Sequence, residues 1–222
     1  MAINSKKIVK NTVYLYLRMV ITMFITIFSS RIVLNSLGID GYGTYNIIFG
    51  IVVLFYFIQS ALNTSTLKFL SGSIVENDNE GQVRIFNASL QTTSLLIIIV
   101  FILLETIGLY IVNNILKIDT AFRQSANISY QILIITYLIQ LIRIPYTSLI
   151  VSFERMSFYA IVSIIEAILK FIASLLLLIN GRANLILYCI YLFCASLICT
   201  IWSIIYCNKK LKNCNLNLSL HA

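Results

Sequence analysis

Residues 12–36 read TVYLYLRMVITMFITIFSSRIVLNS, a run whose only charges are Arg18 and Arg31. A helix of about 20 mostly apolar residues spans the hydrocarbon of a bilayer, so this run reads as a membrane-crossing helix. It begins after Lys6, Lys7 and Lys10, as a secretory signal would. It is too long for a signal, however, it contains two arginines, and no small-residue cleavage site follows it. The run is therefore expected to be a permanent helix. Its polar residues are ordered. Asn11, Tyr14, Thr22, Thr26 and Ser29 all fall within about a quarter-turn of Arg18 at 3.6 residues per turn, while the other faces are Leu, Ile, Val, Met and Phe. A polar stripe on an apolar helix points toward other helices or a water-filled path. Arg31 departs from the stripe, about 20 Å farther along, and is expected at the outer rim.

Five more apolar runs follow, roughly 43–67, 85–116, 127–150, 157–180 and 184–207. The third span is longer than a bilayer requires, so it is expected to tilt or protrude. Composition supports the same class throughout. Of the 222 residues, 59% are hydrophobic and 11% charged, against about half and a quarter in soluble domains. Too few polar residues remain to cover a soluble surface, and far too few charges for disorder. One proline and eight glycines are too few for a turn-rich β architecture. The expected fold is all-α: a six-helix transmembrane lobe over 1–208 and a basic tail over 209–222.

The net charge of +8 raises the question of nucleic acid. The basic residues fall in ones to threes between apolar runs rather than along one face, which argues against it. That distribution instead fixes orientation. With the N-terminus in the cytoplasm, that side receives Lys6, Lys7, Lys10, Lys68, Arg84, Arg155, Lys209, Lys210 and Lys212. The outer ends receive only Lys117, Arg123 and Arg182. This is a positive-inside asymmetry, and an even helix count returns the C-terminus to the cytoplasm. The expected connections are 38–41, 76–81, 117–119, 154–155 and 180–182.

Charges within spans mark places of interest, because each costs several kcal/mol unless it is paired, snorkels or lines a wet cavity. In the second span Gln59, Asn63 and Thr66 form a short stripe, read equally as cavity lining or as interhelical hydrogen bonding. Glu166 and Lys170 stand at i, i+4 in the order that favours an ion pair. They read as a neutralised structural pair or as an ion-coupling carboxylate with its lysine. Glu105 has no evident partner in the sequence. Arg143 precedes Pro145, and a proline inside a membrane helix frees backbone carbonyls beside a bend. Arg18, Arg31, Arg143 and Lys170 outnumber Glu105 and Glu166, which favours an anionic guest such as a phosphate or pyrophosphate.

Chemistry beyond binding finds no support. Cys189, Cys194 and Cys199 recur every five residues in an apolar run without a C-x-x-C pair and read as small buried hydrophobes. His221, the sole histidine, lies in the tail. No phosphate loop, nucleophile elbow or H-E-x-x-H is present, so neither an enzyme nor a cofactor or metal is expected.

Several stretches nevertheless carry a resemblance. Residues Ser30-Arg31-Ile32-Val33-Leu34, followed by Leu37-Gly38-Ile39-Asp40-Gly41-Tyr42-Gly43-Thr44-Tyr45, look like the start of bacterial polysaccharide flippases. Asn63-Thr64-Ser65-Thr66-Leu67-Lys68-Phe69-Leu70 is similar to a second segment, with Lys68 where the family usually has Arg. Ile144-Pro145-Tyr146, Phe153-Glu154-Arg155-Met156-Ser157-Phe158-Tyr159-Ala160 and Glu166-Ala167-Ile168-Leu169-Lys170 add a third. Together they resemble the lipopolysaccharide and O-antigen exporters of the multidrug/oligosaccharidyl-lipid/polysaccharide superfamily, over all but the last few tens of residues. The resemblance implies a MATE-like lobe in the bacterial inner membrane and transport of an undecaprenyl-pyrophosphate-linked oligosaccharide to the outer leaflet. Arg18, Arg31 and Arg143 would contact the anionic head group. Family members have two such lobes, so the chain is expected to be an N-terminal half. It would be truncated or split from its C-terminal lobe, or would work with a second copy. The rival expectations are a cation-coupled small-molecule extruder of the same fold and a non-transporting scaffold for polysaccharide assembly.

Overall fold

A computed structural model of the chain describes residues 5–116, 120–179 and 184–210. Among them every regular element is helical: α1 Ser5–Val53, α2 Tyr56–Val75, α3 Asn79–Leu103, α4 Thr120–Ser152, α5 Met156–Ile179 and α6 Leu185–Lys210. Two π-helical turns, Leu104–Gly108 and Ile111–Ile115, prolong α3. The expected connections at 117–119 and 180–182, and the tail beyond Lys210 with Lys212, Cys214 and His221, lie outside the described residues.

Five stretches are long and apolar enough to cross a membrane: Val9–Val53, Asn79–Ile115, Phe122–Ser152, Met156–Ile179 and Leu185–Lys210. This is the architecture of a multi-pass membrane protein. The second expected span, 43–67, is drawn differently in the structure. Helix resumes immediately after Gly38, so the expected connection 38–41 shrinks to a single break at φ 73°, ψ 177°, a conformation open essentially only to glycine. The segment after the break runs to Val53, is interrupted at Leu54 and Phe55, and continues as α2. Alone, α2 does not qualify as a span. Gln59, Ser60, Asn63, Thr64, Ser65 and Lys68 lower its hydropathy, and residues 39–53 fall within the first apolar stretch, Val9–Val53.

The interruptions have identifiable partners. At the α1–α2 kink the Phe55 carbonyl accepts from the Ile58 amide at 3.0 Å and from the Tyr137 hydroxyl at 2.6 Å, and the Tyr56 and Tyr137 rings stack at 5.2 Å. The wide turns of α3 loosen the backbone ladder. There the Leu104 carbonyl accepts from the Tyr130 hydroxyl at 2.9 Å and the Asn113 carbonyl from the Arg123 guanidinium at 2.9 Å. Gly108 is required at this place, because a Cβ would run into the Tyr130 hydroxyl. Pro145 is accommodated inside α4, which continues to Ser152. Asp78 caps α3 by accepting from the Gly81 amide at 2.8 Å, so the acidic loop is a helix start.

The spine of the bundle is α4, which packs against each of the other five helices, while α1 lies mainly along α5. The larger core joins Ile48, Ile51 and Val52 of α1 to Tyr130, Ile134 and Leu141 of α4, with Leu104 and Cys189. A second core at the other end holds Leu70, Phe86, Tyr146, Leu149, Ile150 and Cys207. Cys189, Cys199 and Cys207 are buried, but Cys194 is exposed, contrary to the reading of all three regularly spaced cysteines as interior. The outward faces are apolar, for instance Leu17, Phe24 and Phe28 on α1. Such surface is suited to lipid.

Candidate functional site

Three ionisable side chains meet in the middle of the helices. The Arg143 Nη1 lies 2.6 Å from Glu166 Oε2, and Lys170 Nζ lies 2.8 Å from Glu166 Oε1. The spacing of Glu166 and Lys170 already suggested their pair. Arg143 comes from α4, 23 residues away from Glu166 in sequence, and no local spacing could have named it as the second partner. Each oxygen of the carboxylate therefore accepts from a different cation, and the cluster carries one positive charge in excess. Arg143 and Glu166 are nearly enclosed, whereas the Lys170 side chain remains 39% exposed.

Two cavities with both polar and apolar side chains in their walls flank this cluster. The first, about 330 Å³, is lined by Arg143 together with Gln59, Asn63, Gln140, Tyr159 and Ser163, among others. The second, about 400 Å³, takes Glu166 and Lys170 into its wall, with Thr22, Thr26, Ser29 and Ser163. Ser163 borders both, so the ion cluster stands between them. The first cavity lies toward the start of α5 and the end of α6. The second lies toward the middle of α5 and the residues around the Gly38 break. The two are stacked along the bundle.

The polar stripe of α1 faces this region. Arg18 places its guanidinium 4.7 Å from the centre of the Tyr159 ring, a cation–π contact against a residue that lines the first cavity. Its Nε is buried without a hydrogen-bond partner. Thr22 and Thr26 turn their hydroxyls back to the carbonyls of Arg18 and Thr22, each at 2.8 Å, and half-buried Ser29 keeps a buried hydroxyl oxygen without a partner. Tyr14 is half-buried beneath Lys10, 5.9 Å from the ring centre, and Asn11 is half-buried on the same face. Neither lines the two cavities. Arg31 is exposed, outside both, so the structure does not bring it together with Arg18 and Arg143.

The α2 stripe divides in function. Asn63 accepts from Ser148 of α4 at 2.8 Å, and Thr66 shares a 2.9 Å hydroxyl bond with Ser89 of α3; both join helices, and Asn63 also lines the first cavity. Gln59 keeps a buried carbonyl oxygen without a partner and lines the first cavity. Gln140, unremarked in the sequence, joins it there. Glu105, without an evident partner in the sequence, accepts from Gln131 of α4 at 3.1 Å.

The arrangement presents hydrogen-bonding amides and cationic donors to partly open cavities, and among the described residues the one carboxylate in their walls is held by two cations. No protein-family profile, curated protein or solved structure matches the chain.

Proposed function

We propose that the chain is one lobe of a flippase that moves an undecaprenyl-pyrophosphate-linked oligosaccharide across the bacterial cytoplasmic membrane, with both termini cytoplasmic. The observation that carries this reading is the Arg143–Glu166–Lys170 cluster and its surplus positive charge between two cavities. Arg18 adds a further cation behind the first cavity, stacked on the Tyr159 ring that lines it. Arginine keeps its charge when desolvated and offers a planar donor fork that matches phosphate oxygens. Gln59 and Gln140 supply neutral donors and acceptors beside it, as a guest bearing hydroxyls requires. In this reading Arg18 and Arg143 meet the head group as it enters, and Arg31 meets it only at the rim. Glu166 serves to hold Arg143 and Lys170 in place.

A lobe alone encloses only part of such a guest. The opposite wall comes from a C-terminal lobe or from a second copy of the chain, and the membrane lipids surround the rest. A small-molecule extruder driven by cation exchange would need a carboxylate free to exchange its cation. Glu166 is instead bonded on both oxygens, which favours the anionic guest. The test is direct binding. Purified chain is mixed with undecaprenyl pyrophosphate in detergent, and complexes are counted by native mass spectrometry. Binding that falls at least tenfold in Arg18→Ala and in Arg143→Gln supports the reading. Equal binding by the variants and the parent removes the head-group assignment.

A further inference from the structure

The second cavity shares the surplus charge of the ion cluster, but its own cation, Lys170, is not among the head-group contacts. Lys170 Nζ carries three donors, of which one is directed to Glu166 Oε1 at 2.8 Å; the side chain is 39% exposed and lines this cavity. Glu166 also neutralises Arg143, so one carboxylate serves two cations. Among the described residues no second carboxylate lines either cavity. An uncompensated charge at membrane depth is costly, and breaking the balance of a buried ion cluster costs several kcal/mol.

The hydroxyls around Lys170 narrow the chemistry further. Thr22, Thr26, Ser30 and Ser163 all direct their protons to carbonyls of their own helices, at 2.8 to 2.9 Å. Ser29 does not. Its hydroxyl is buried, has no partner, and lines the same cavity as Lys170. The cavity therefore offers the remaining ammonium hydrogens and the Ser29 hydroxyl as donors, beside the oxygens of these hydroxyls and the Tyr42, Tyr45 and Tyr188 side chains in its wall; the surplus positive charge sets the sign of the guest. A cation finds no free carboxylate there, and a neutral guest leaves the charge uncompensated.

We infer that the second cavity binds a small inorganic anion, a halide or orthophosphate, against Lys170 and Ser29. The anion completes the charge balance of the Arg143–Glu166–Lys170 cluster. This site is distinct from the head-group contacts at Arg18 and Arg143, and it does not require that the chain transport anything.

Full-length protein in neutral detergent with sodium gluconate is titrated at constant ionic strength with chloride or inorganic phosphate, and unfolding is followed by circular dichroism. A ligand that binds only the folded state raises the unfolding temperature saturably. The expected result is a saturable rise for at least one of the two anions, retained in Lys170→Arg and lost in Lys170→Met. Glu166→Gln removes the competing negative charge and should lower the half-saturating concentration by about tenfold. Ser29→Ala should raise it. A rise that is absent, or unchanged in Lys170→Met, overturns the inference. So does a rise given only by an isoprenyl phosphate, which would make the second cavity an extension of the head-group path. The Lys170→Arg variant keeps the test meaningful if Lys170→Met folds poorly, since it must then bind as the parent does.

Discussion

Removing the charge of Glu166 is the most informative perturbation of the ion cluster. Glu166→Gln preserves shape and one accepting oxygen, but turns an NH₂ group toward a cation and leaves Arg143 and Lys170 facing each other without a carboxylate. Removing one partner of a buried ion pair costs about 3–5 kcal/mol. That range applies to Arg143, whose side chain is 16% exposed and 2.6 Å from the carboxylate. The Lys170 pair lies at 39% exposure, so solvent in the cavity screens it and its share is about 1 kcal/mol or less. The retained amide hydrogen bond offsets roughly 1 kcal/mol. A net loss of about 3 kcal/mol is expected, measured by reversible unfolding in mixed micelles in gluconate buffer. The decisive assay is a double-mutant cycle between Glu166→Gln and Arg143→Met, compared with one between Glu166→Gln and Lys170→Met. The first coupling should exceed about 1.5 kcal/mol and should be the larger. Equal couplings, or a first coupling below about 0.5 kcal/mol, would refute the assignment of Arg143 as the main partner.

Gly38→Ala should destabilise the protein by about 1–3 kcal/mol through backbone strain alone, since no atom lies within 4 Å of the added Cβ. Gly50→Ala, equally uncrowded but helical, should be neutral or stabilising, and thermal melts of the two variants separate the causes. Gly108→Ala should lower stability by displacing the Tyr130 hydroxyl from the Leu104 carbonyl. The loss should shrink in a Tyr130→Phe background, and the same melts measure it. Tyr137→Phe should cost about 1 kcal/mol by removing the hydroxyl from the Phe55 carbonyl, with amide exchange accelerated around the α1–α2 kink.

Much of the architecture could be read in the sequence because a bilayer imposes a simple length and polarity rule. Long apolar runs such as 157–180 correspond to α5 at Met156–Ile179 within a residue at each end. The error at 38–41 has a physical origin: two glycines and an aspartate look like a loop, yet only Gly38 leaves helical geometry. The second expected span, 43–67, straddled the interruption at Leu54 and Phe55, which composition does not mark. The π-helical turns after Leu103 left no mark in composition. At the site, the Glu166–Lys170 pair was legible because its spacing is local. The bond from Arg143 depends on how α4 packs against α5, and the bonds from Gln131 and Ser148 depend on α4 in the same way. Of the stripe on α1, Thr22, Thr26 and Ser29 border the second cavity while Asn11 and Tyr14 border neither, and periodicity could not tell which members would spend their hydroxyls on backbone. Thr22 and Thr26 do so, and Ser29 does not.

The central claim, that this lobe takes part in moving an anionic lipid-linked oligosaccharide, is tested most directly by expressing the chain in a bacterium lacking its polysaccharide flippase. It should be expressed alone and beside a separately encoded C-terminal lobe of the deleted flippase. Surface polymer and membrane abundance are measured together. The account predicts that polymer returns in at least one arrangement, and that Arg143→Gln and Arg18→Ala abolish the return at unchanged abundance. Polymer that returns equally with both arginine variants, or never returns while the chain is stably inserted in both arrangements, would contradict it.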